Sequence, residues 1–217
     1  MQTALKILIL LAAYLFGAIP FGFIIGKIKG VDIRDYGSKN IGSTNVGRVL
    51  GKKYAVLAYL LDMTKGGFFV FLFRFGIIPE SYMIVTPLLY GLLAVIGHTC
   101  SVFLKFKGGK AVATSSGVIF GFCPWLLPLL IAIFYTIVLA SSYVSLSSLL
   151  SAIITLIASL ILYAIGYDPV FNLPINYYFP VFCLLIVLII FYRHRENIDR
   201  LKRKTENKVN IKIFRKK

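Results

Sequence analysis

The chain has 217 residues, 59% of them hydrophobic and 15% charged, with a mean hydropathy of +0.85. A soluble domain carries about a quarter charged residues; this composition excludes one and points to a membrane-embedded chain, its long apolar runs broken by short basic clusters. The net charge of +16 sits on so apolar a body that nucleic acid is excluded as a partner, leaving anionic lipid and anionic small molecules.

In chain order, apolar runs occupy 4–26, 54–78, 82–104, 111–140, 143–166 and 176–192. The first, Ile7 to Ile25, is long for a signal peptide, lacks a small-x-small cleavage site and runs into Lys27 and Lys29, so it reads as a retained span. Pro20 is expected to bend it. The Gly22-x3-Gly26 pair and the Ser151, Thr155, Ser159 row allow close backbone approach. Cys100, Cys123 and Cys183 have no CxxC spacing and read as small packing residues, with no disulfide or metal.

Basic residues mark the cytoplasmic side of a membrane. Residues 27–53 hold seven, residues 105–110 hold three and the tail from Arg193 holds eleven; only Lys6, Lys65 and Arg74 lie elsewhere. Three basic segments on one side require an even number of crossings between each pair. Residues 111–192 contain one charge, Asp168, and are long enough for four passes, turning near Cys123-Pro124, Ser141–Ser148 and Gly166–Pro174. The expected architecture is all-α: one membrane domain spanning 1–217, seven transmembrane helices, the N-terminus outside and the C-terminus cytoplasmic, with five helices as the alternative.

The residues suited to chemistry lie in or beside segments 27–53, 105–114 and 193–207. The first sets Gly37, Gly42 and Gly47 among Ser38, Asn40, Ser43, Thr44 and Asn45, with Lys39 and Arg48 beside them. Glycine lets successive backbone N–H groups turn toward one point, which suits an anion. Ser43 or Thr44 is expected to cap a helix running through Arg48. The second is Lys105-Phe-Lys107-Gly108-Gly109-Lys110, whose lysines flank paired glycines before a helix, as in phosphate-cradling loops, though without Walker A spacing. The third is Arg193-His194-Arg195-Glu196-Asn197. On a continuous helix His194 and Asn197 share a face, and His194 is the expected proton acceptor, with His98 as its rival. His194 and Asp199 also read His-x4-Asp, but five residues put them about 140° apart on a helix, so the pair is set aside. Asp62 and Lys65 lie inside a span at i,i+3, which fits either a functional charge or a mutual ion pair.

At these residues the sequence resembles the PlsY family, the bacterial acyl-phosphate:glycerol-3-phosphate acyltransferases. The resemblance covers nearly the whole chain. It is carried by Gly37-Ser-Lys-Asn-Ile-Gly-Ser-Thr-Asn45 with Arg48, by Leu61-Asp62 with Lys65-Gly66, by Gly97-His98 with Lys105–Lys110, by Tyr143-Val-Ser-Leu-Ser147 and by Arg193–Asn197. It implies a seven-helix membrane enzyme of the bacterial cell membrane with a cytoplasmic site. The implied substrates are acyl phosphate and glycerol 3-phosphate, the products lysophosphatidic acid and phosphate, with no metal, cofactor or acyl carrier. Matching substrate-site positions are Ser38, Asn40, Arg48, Lys107, Ser145, His194 and Asn197. Ala111 stands where many members have glycine, and Ser142 where many have arginine.

An acyl phosphate is already activated, so no acyl-enzyme is required, and Ser38 lacks a sequence-local base for that role. Arg48, Lys107 and Lys110 suit two anions and a leaving phosphate. Gly108 and Gly109 are expected to offer backbone N–H groups to the acyl phosphate. Ser38, Asn40 and Ser145 are expected to bond phosphate or hydroxyl oxygens. The hydroxyl proton goes to His194 or to a substrate phosphate oxygen. The protein is expected to act as a monomer among membrane lipids. The rival from another class, an anion or lipid transporter, predicts charges near the bilayer midplane, as only Asp62, Lys65 and Arg74 would provide.

Overall fold

A computed structural model describes residues 2–209. Among these the fold is all-helical apart from a single bridge between Tyr167 and Pro174. The helices are α1 (Gln2–Ala18), α2 (Phe21–Ile28), α3 (Ser43–Leu50), α4 (Lys52–Arg74), α5 (Pro87–Thr99), α6 (Val112–Phe122), α7 (Leu126–Ser141), α8 (Val144–Ile165), α9 (Tyr178–Arg193) and α10 (Arg195–Lys202). They form two compact units, one ending at Pro124 and one beginning at Trp125.

Three segments are long and apolar enough to cross a bilayer: α4, Pro87–Leu104 (α5 and the turn after it) and α8; counting the bent pairs α1–α2 and α9–α10 as spans makes five. Among the described residues α6 and α7 are apolar but shorter, at 11 and 16 residues. The 45° bend between α1 and α2 falls at Ile19-Pro20, since proline has no N–H to continue the ladder.

In the first unit, α4 packs on α6 and α1 on α5. The α4–α6 seam is built from glycine: a Cβ on Gly67 would run into the Gly117 carbonyl, and one on Gly117 into the Met63 carbonyl. Apolar side chains in lipid gain nothing from water exclusion, so such backbone-to-backbone packing holds helices together. Gly22 and Gly26 also allow close approach, but to the loop at Ile41, Val31 and Ile33 rather than to a helix. The α1–α2 break frees the Ile19 carbonyl, which accepts from Lys65 Nζ at 2.6 Å.

In the second unit α8 packs on both α7 and α9, and α10 on α8 and α9. Thr155 and Ser159 bond to carbonyls of their own helix, which pairs their hydroxyls within α8, while the Ser151 hydroxyl of the same row is buried with no hydrogen-bond partner among the described residues. Asp168 is fully buried in the α8–α9 loop and accepts from Trp125 Nε1 at 3.0 Å and from the Val170 and Phe171 N–H groups. Cys123 and Cys183 are buried and Cys100 is exposed, and none of the three is in a disulfide among the described residues.

Candidate functional site

The first unit carries two of the polar segments. The loop between α2 and α3 is organised by Asn45, in the first turn of α3 and 1% exposed. Its Oδ1 accepts from the Ser38 N–H at 2.8 Å, while Nδ2 donates to the Ile33 and Tyr36 carbonyls at 2.9 and 3.1 Å. One amide thus fixes three points of the loop and presents Ser38. Asn40 Oδ1 accepts from the Gly42 N–H at 2.9 Å, an Asx-type turn into α3. The helix cap differs from the sequence expectation: Gly42 occupies the N-cap position, and neither Ser43 nor Thr44, both already helical, makes a side-chain cap bond. Arg48 lies exposed on α3. Asp32 closes the loop's base, accepting from Arg34 Nε at 2.9 Å and Nη2 at 2.7 Å and pairing with Lys27 at 3.2 Å. The Arg34 side-chain bonds hold the Asp32 carboxyl well below the usual carboxylate range.

The second segment follows α5. Lys105 and Phe106 both take left-handed backbone, with φ of 51° and 62°, and the Phe106 and Lys107 N–H groups turn back onto the Ser101 and Leu104 carbonyls. Non-glycine residues rarely hold that conformation unless surroundings enforce it. Lys107 emerges exposed, with Lys110 half-buried beyond the two glycines. The role expected of Gly108 and Gly109 needs correction. Their N–H groups donate to the Thr99 and His98 carbonyls, at 3.0 and 2.9 Å, rather than pointing outward for an anion. Glycine is needed here for room: a Cβ on Gly108 would strike the His98 carbonyl and one on Gly109 the His98 ring. His98, 3% exposed, is therefore packed beneath this loop. Ala111, also left-handed at φ 68°, caps α6, a backbone that glycine would adopt with less strain.

These two segments rest on one foundation. Ile33 and Ile41 from the first loop, Val46 from α3 and Leu104 from the second segment share a buried apolar cluster with Ile25 and Ala58. The loop carrying Ser38, Asn40 and Arg48 and the turn leading into Lys107 are thereby anchored to the same core.

The second unit carries Ser145, His194 and Asn197. Ser145 is in the first turn of α8 and is buried. His194 is the junction of α9 and α10, which meet at 61°. The chain bends at His194, which opens α10 three residues before Asn197, and both side chains are buried. His194 Nδ1 lies 2.8 Å from the Ile190 carbonyl, which places the proton on Nδ1 and makes Nε2 the basic nitrogen. Asp199 is exposed while His194 is buried, in keeping with setting the His-x4-Asp pattern aside.

One residue was missed. Glu206, 8% exposed, folds back from the tail; its Oε1 accepts from Ser145 Oγ at 3.1 Å and from Asn197 Nδ2 at 2.8 Å, and its Oε2 from Arg200 Nε at 2.8 Å. Burial pushes its carboxyl up, but the bonds from Arg200, Asn197 and Ser145 outweigh that and hold it below its ordinary value. The tail is pinned further by the Val209 N–H on the Ser142 carbonyl, with Lys208 Nζ over the Tyr143 ring at 5.7 Å. The sequence signal was slight: Glu206 is one of three acids, with Glu196 and Asp199, in a basic tail.

Asp62 and Lys65 form the ion pair allowed by their spacing, at 2.7 Å with both side chains at most 2% exposed. With Lys65 also on the Ile19 carbonyl, the pair links α4 to the α1–α2 break.

Comparison with known proteins follows this geometry. Residues 7–204 match the family described as glycerol-3-phosphate acyltransferase. A glycerol-3-phosphate acyltransferase of Geobacillus kaustophilus is 46% identical over 205 residues, covering 93% of this chain and 95% of that one. One from Acholeplasma laidlawii is 40% identical over 224 residues, covering 98% and 96%. A crystal structure of PlsY (YgiH), an integral membrane glycerol 3-phosphate acyltransferase, in its glycerol 3-phosphate form, superposes with a TM-score of 0.81 at 37% identity, covering 97% of this chain and 99% of that one.

Proposed function

The chain belongs to the glycerol-3-phosphate acyltransferase family, and we propose that it transfers a fatty acyl group from acyl phosphate to the sn-1 hydroxyl of glycerol 3-phosphate, at the cytoplasmic face of a bacterial cell membrane crossed seven times. The observation that carries the reading is the shared apolar cluster beneath the Ser38–Arg48 loop and the Lys107 turn. It seats two basic, glycine-rich segments on one support, as a reaction between two phosphorylated molecules requires.

The reaction needs positioning and charge stabilisation more than a covalent intermediate. The sn-1 oxygen bonds to the acyl carbon. The bond from that carbon to the phosphate oxygen breaks, and phosphate leaves with the electron pair. Arg48, Lys107 and Lys110 offset the charge on the two substrates and on the leaving phosphate. The Ser38 hydroxyl and the Asn40 amide supply hydrogen bonds to phosphate oxygens. Ser145 and Asn197, held by Glu206, orient the glycerol hydroxyls. The hydroxyl proton passes to His194 Nε2 or to a phosphate oxygen. Gly108 and Gly109 contribute by letting the lysine turn lie flat on the end of α5, not by donating to the substrate.

The test is kinetic. Purified protein, supplied with palmitoyl phosphate and glycerol 3-phosphate, should form lysophosphatidic acid. Arg48→Ala and Lys107→Ala should each lower kcat/KM at least a hundredfold while melting like the unaltered protein. Retention of full activity by both would overturn the assignment. Uptake of anion by proteoliposomes without product would favour a transporter.

A further inference from the structure

Among the buried polar groups of the first unit that the reaction does not use, Asp62, paired with Lys65, lies beside His98. Lys65 Nζ and Asp62 Oδ1 pair at 2.7 Å, and His98 Nδ1 stands 3.7 Å from the same Asp62 oxygen. All three side chains are at most 3% exposed. On the far side of the ring, Nε2, Cε1 and Cδ2 lie where a Cβ on Gly109 would be. The backbone of the same residue is joined to this loop as well, through the bond from the Gly109 N–H to the His98 carbonyl and that from Gly108 to Thr99. An imidazole between a buried carboxylate and a glycine backbone is held in one orientation. A side chain in that place sets the height of the loop above α5.

We propose that His98 is a positioning residue for the reaction: its ring, packed beside the buried Asp62–Lys65 pair, is the platform on which Gly109 rests, and it thereby sets where Lys107 and Lys110 present their charges to substrate phosphate. The inference deepens the function proposed above and rests on its placing those lysines at a phosphate. The chain of support runs through packed groups. Lys65, anchored on the Ile19 carbonyl, pairs with Asp62; the Asp62 carboxylate flanks the His98 ring at 3.7 Å; the ring then carries the loop. The left-handed backbone at Lys105 and Phe106 gives the turn a shape that must be supported from beneath.

The experiment uses the full-length protein in detergent micelles with palmitoyl phosphate and glycerol 3-phosphate. His98→Leu fills much of the same volume but removes the flat ring beneath Gly109 and its nitrogen facing Asp62. It is expected to raise KM for at least one phosphorylated substrate fivefold or more, with kcat changed less than threefold. His98→Asn keeps a donor toward Asp62 and should recover part of that loss. Gly109→Ala introduces the methyl group that meets the ring, and should cost at least tenfold in kcat/KM. Shortening the ring makes room for that methyl group, so His98→Ala/Gly109→Ala should exceed Gly109→Ala at least fivefold. Should His98→Leu melt far below the unaltered protein, this pair decides. Unchanged KM values in a folded His98→Leu, a loss in kcat alone, or a double variant no better than Gly109→Ala would overturn the proposal. Lys107→Ala separates the two levels. If it keeps ordinary kinetics, the functional reading fails; if it is impaired while His98→Leu is not, only the role of His98 fails.

Discussion

Replacing Glu206 by alanine should destabilise the second unit by about 3 kcal/mol. The carboxylate, 8% exposed, accepts from Ser145, Asn197 and Arg200. Hydrogen bonds to a charged group contribute roughly 1.5–3 kcal/mol each, and a buried donor left unpaired costs about 1–3 kcal/mol. Ser145 and Asn197 are buried and have little access to water in the variant, so both penalties count. The Arg200 side chain is 34% exposed, so it regains solvent and its share is small. Glu206→Gln keeps an acceptor for Ser145 and Asn197 but loses the charge, and should cost about half as much. The carboxyl's folded-state pKa is depressed below the ordinary 4.5. Its stabilisation is therefore fully present above that value and is lost as pH falls through the lower folded-state value. Thermal unfolding in micelles at pH 7 and pH 4 measures this: the gap between unaltered protein and Glu206→Ala should shrink at the lower pH. Equal melting of the two proteins at pH 7 would refute the reasoning.

Gly117→Ala places a methyl against the Met63 carbonyl in the α4–α6 seam, and should lower stability by roughly 1–3 kcal/mol, read as a fall in melting temperature. Asn45→Ala removes the amide that ties Ser38, Ile33 and Tyr36; a loss of about 2 kcal/mol should accompany a drop in kcat/KM as the loop loosens. Lys65→Met strands the buried Asp62 carboxylate and should cost about 3–5 kcal/mol, whereas Asp62→Asn/Lys65→Met, which removes both charges, should melt closer to the unaltered protein.

The helical class and the places where the chain breaks were legible because both depend on local chemistry. Apolar runs of spanning length, clustered lysines and arginines, and Pro20 each act within a few residues of where they stand. The Asp62–Lys65 pair was legible for the same reason, as an i,i+3 neighbour contact. What the sequence concealed depends on groups far apart in the chain. Ser145 and Glu206 are separated by 61 residues, and no spacing rule links them. The commitment of the Gly108 and Gly109 N–H groups depends on two carbonyls at the end of α5, so a phosphate-loop analogy misassigned them. The bend at His194 was not legible, because nothing in Arg193-His194-Arg195 resembles a proline or glycine break.

Phosphorus NMR on one sample tests the central claim most directly, because acyl phosphate, glycerol 3-phosphate, inorganic phosphate and lysophosphatidic acid give separate signals. Purified protein with palmitoyl phosphate and glycerol 3-phosphate, in the presence of a metal chelator, should consume both and release lysophosphatidic acid and inorganic phosphate in equal amounts. Persistence of the acyl phosphate, or its hydrolysis to phosphate without lysophosphatidic acid, would contradict the account.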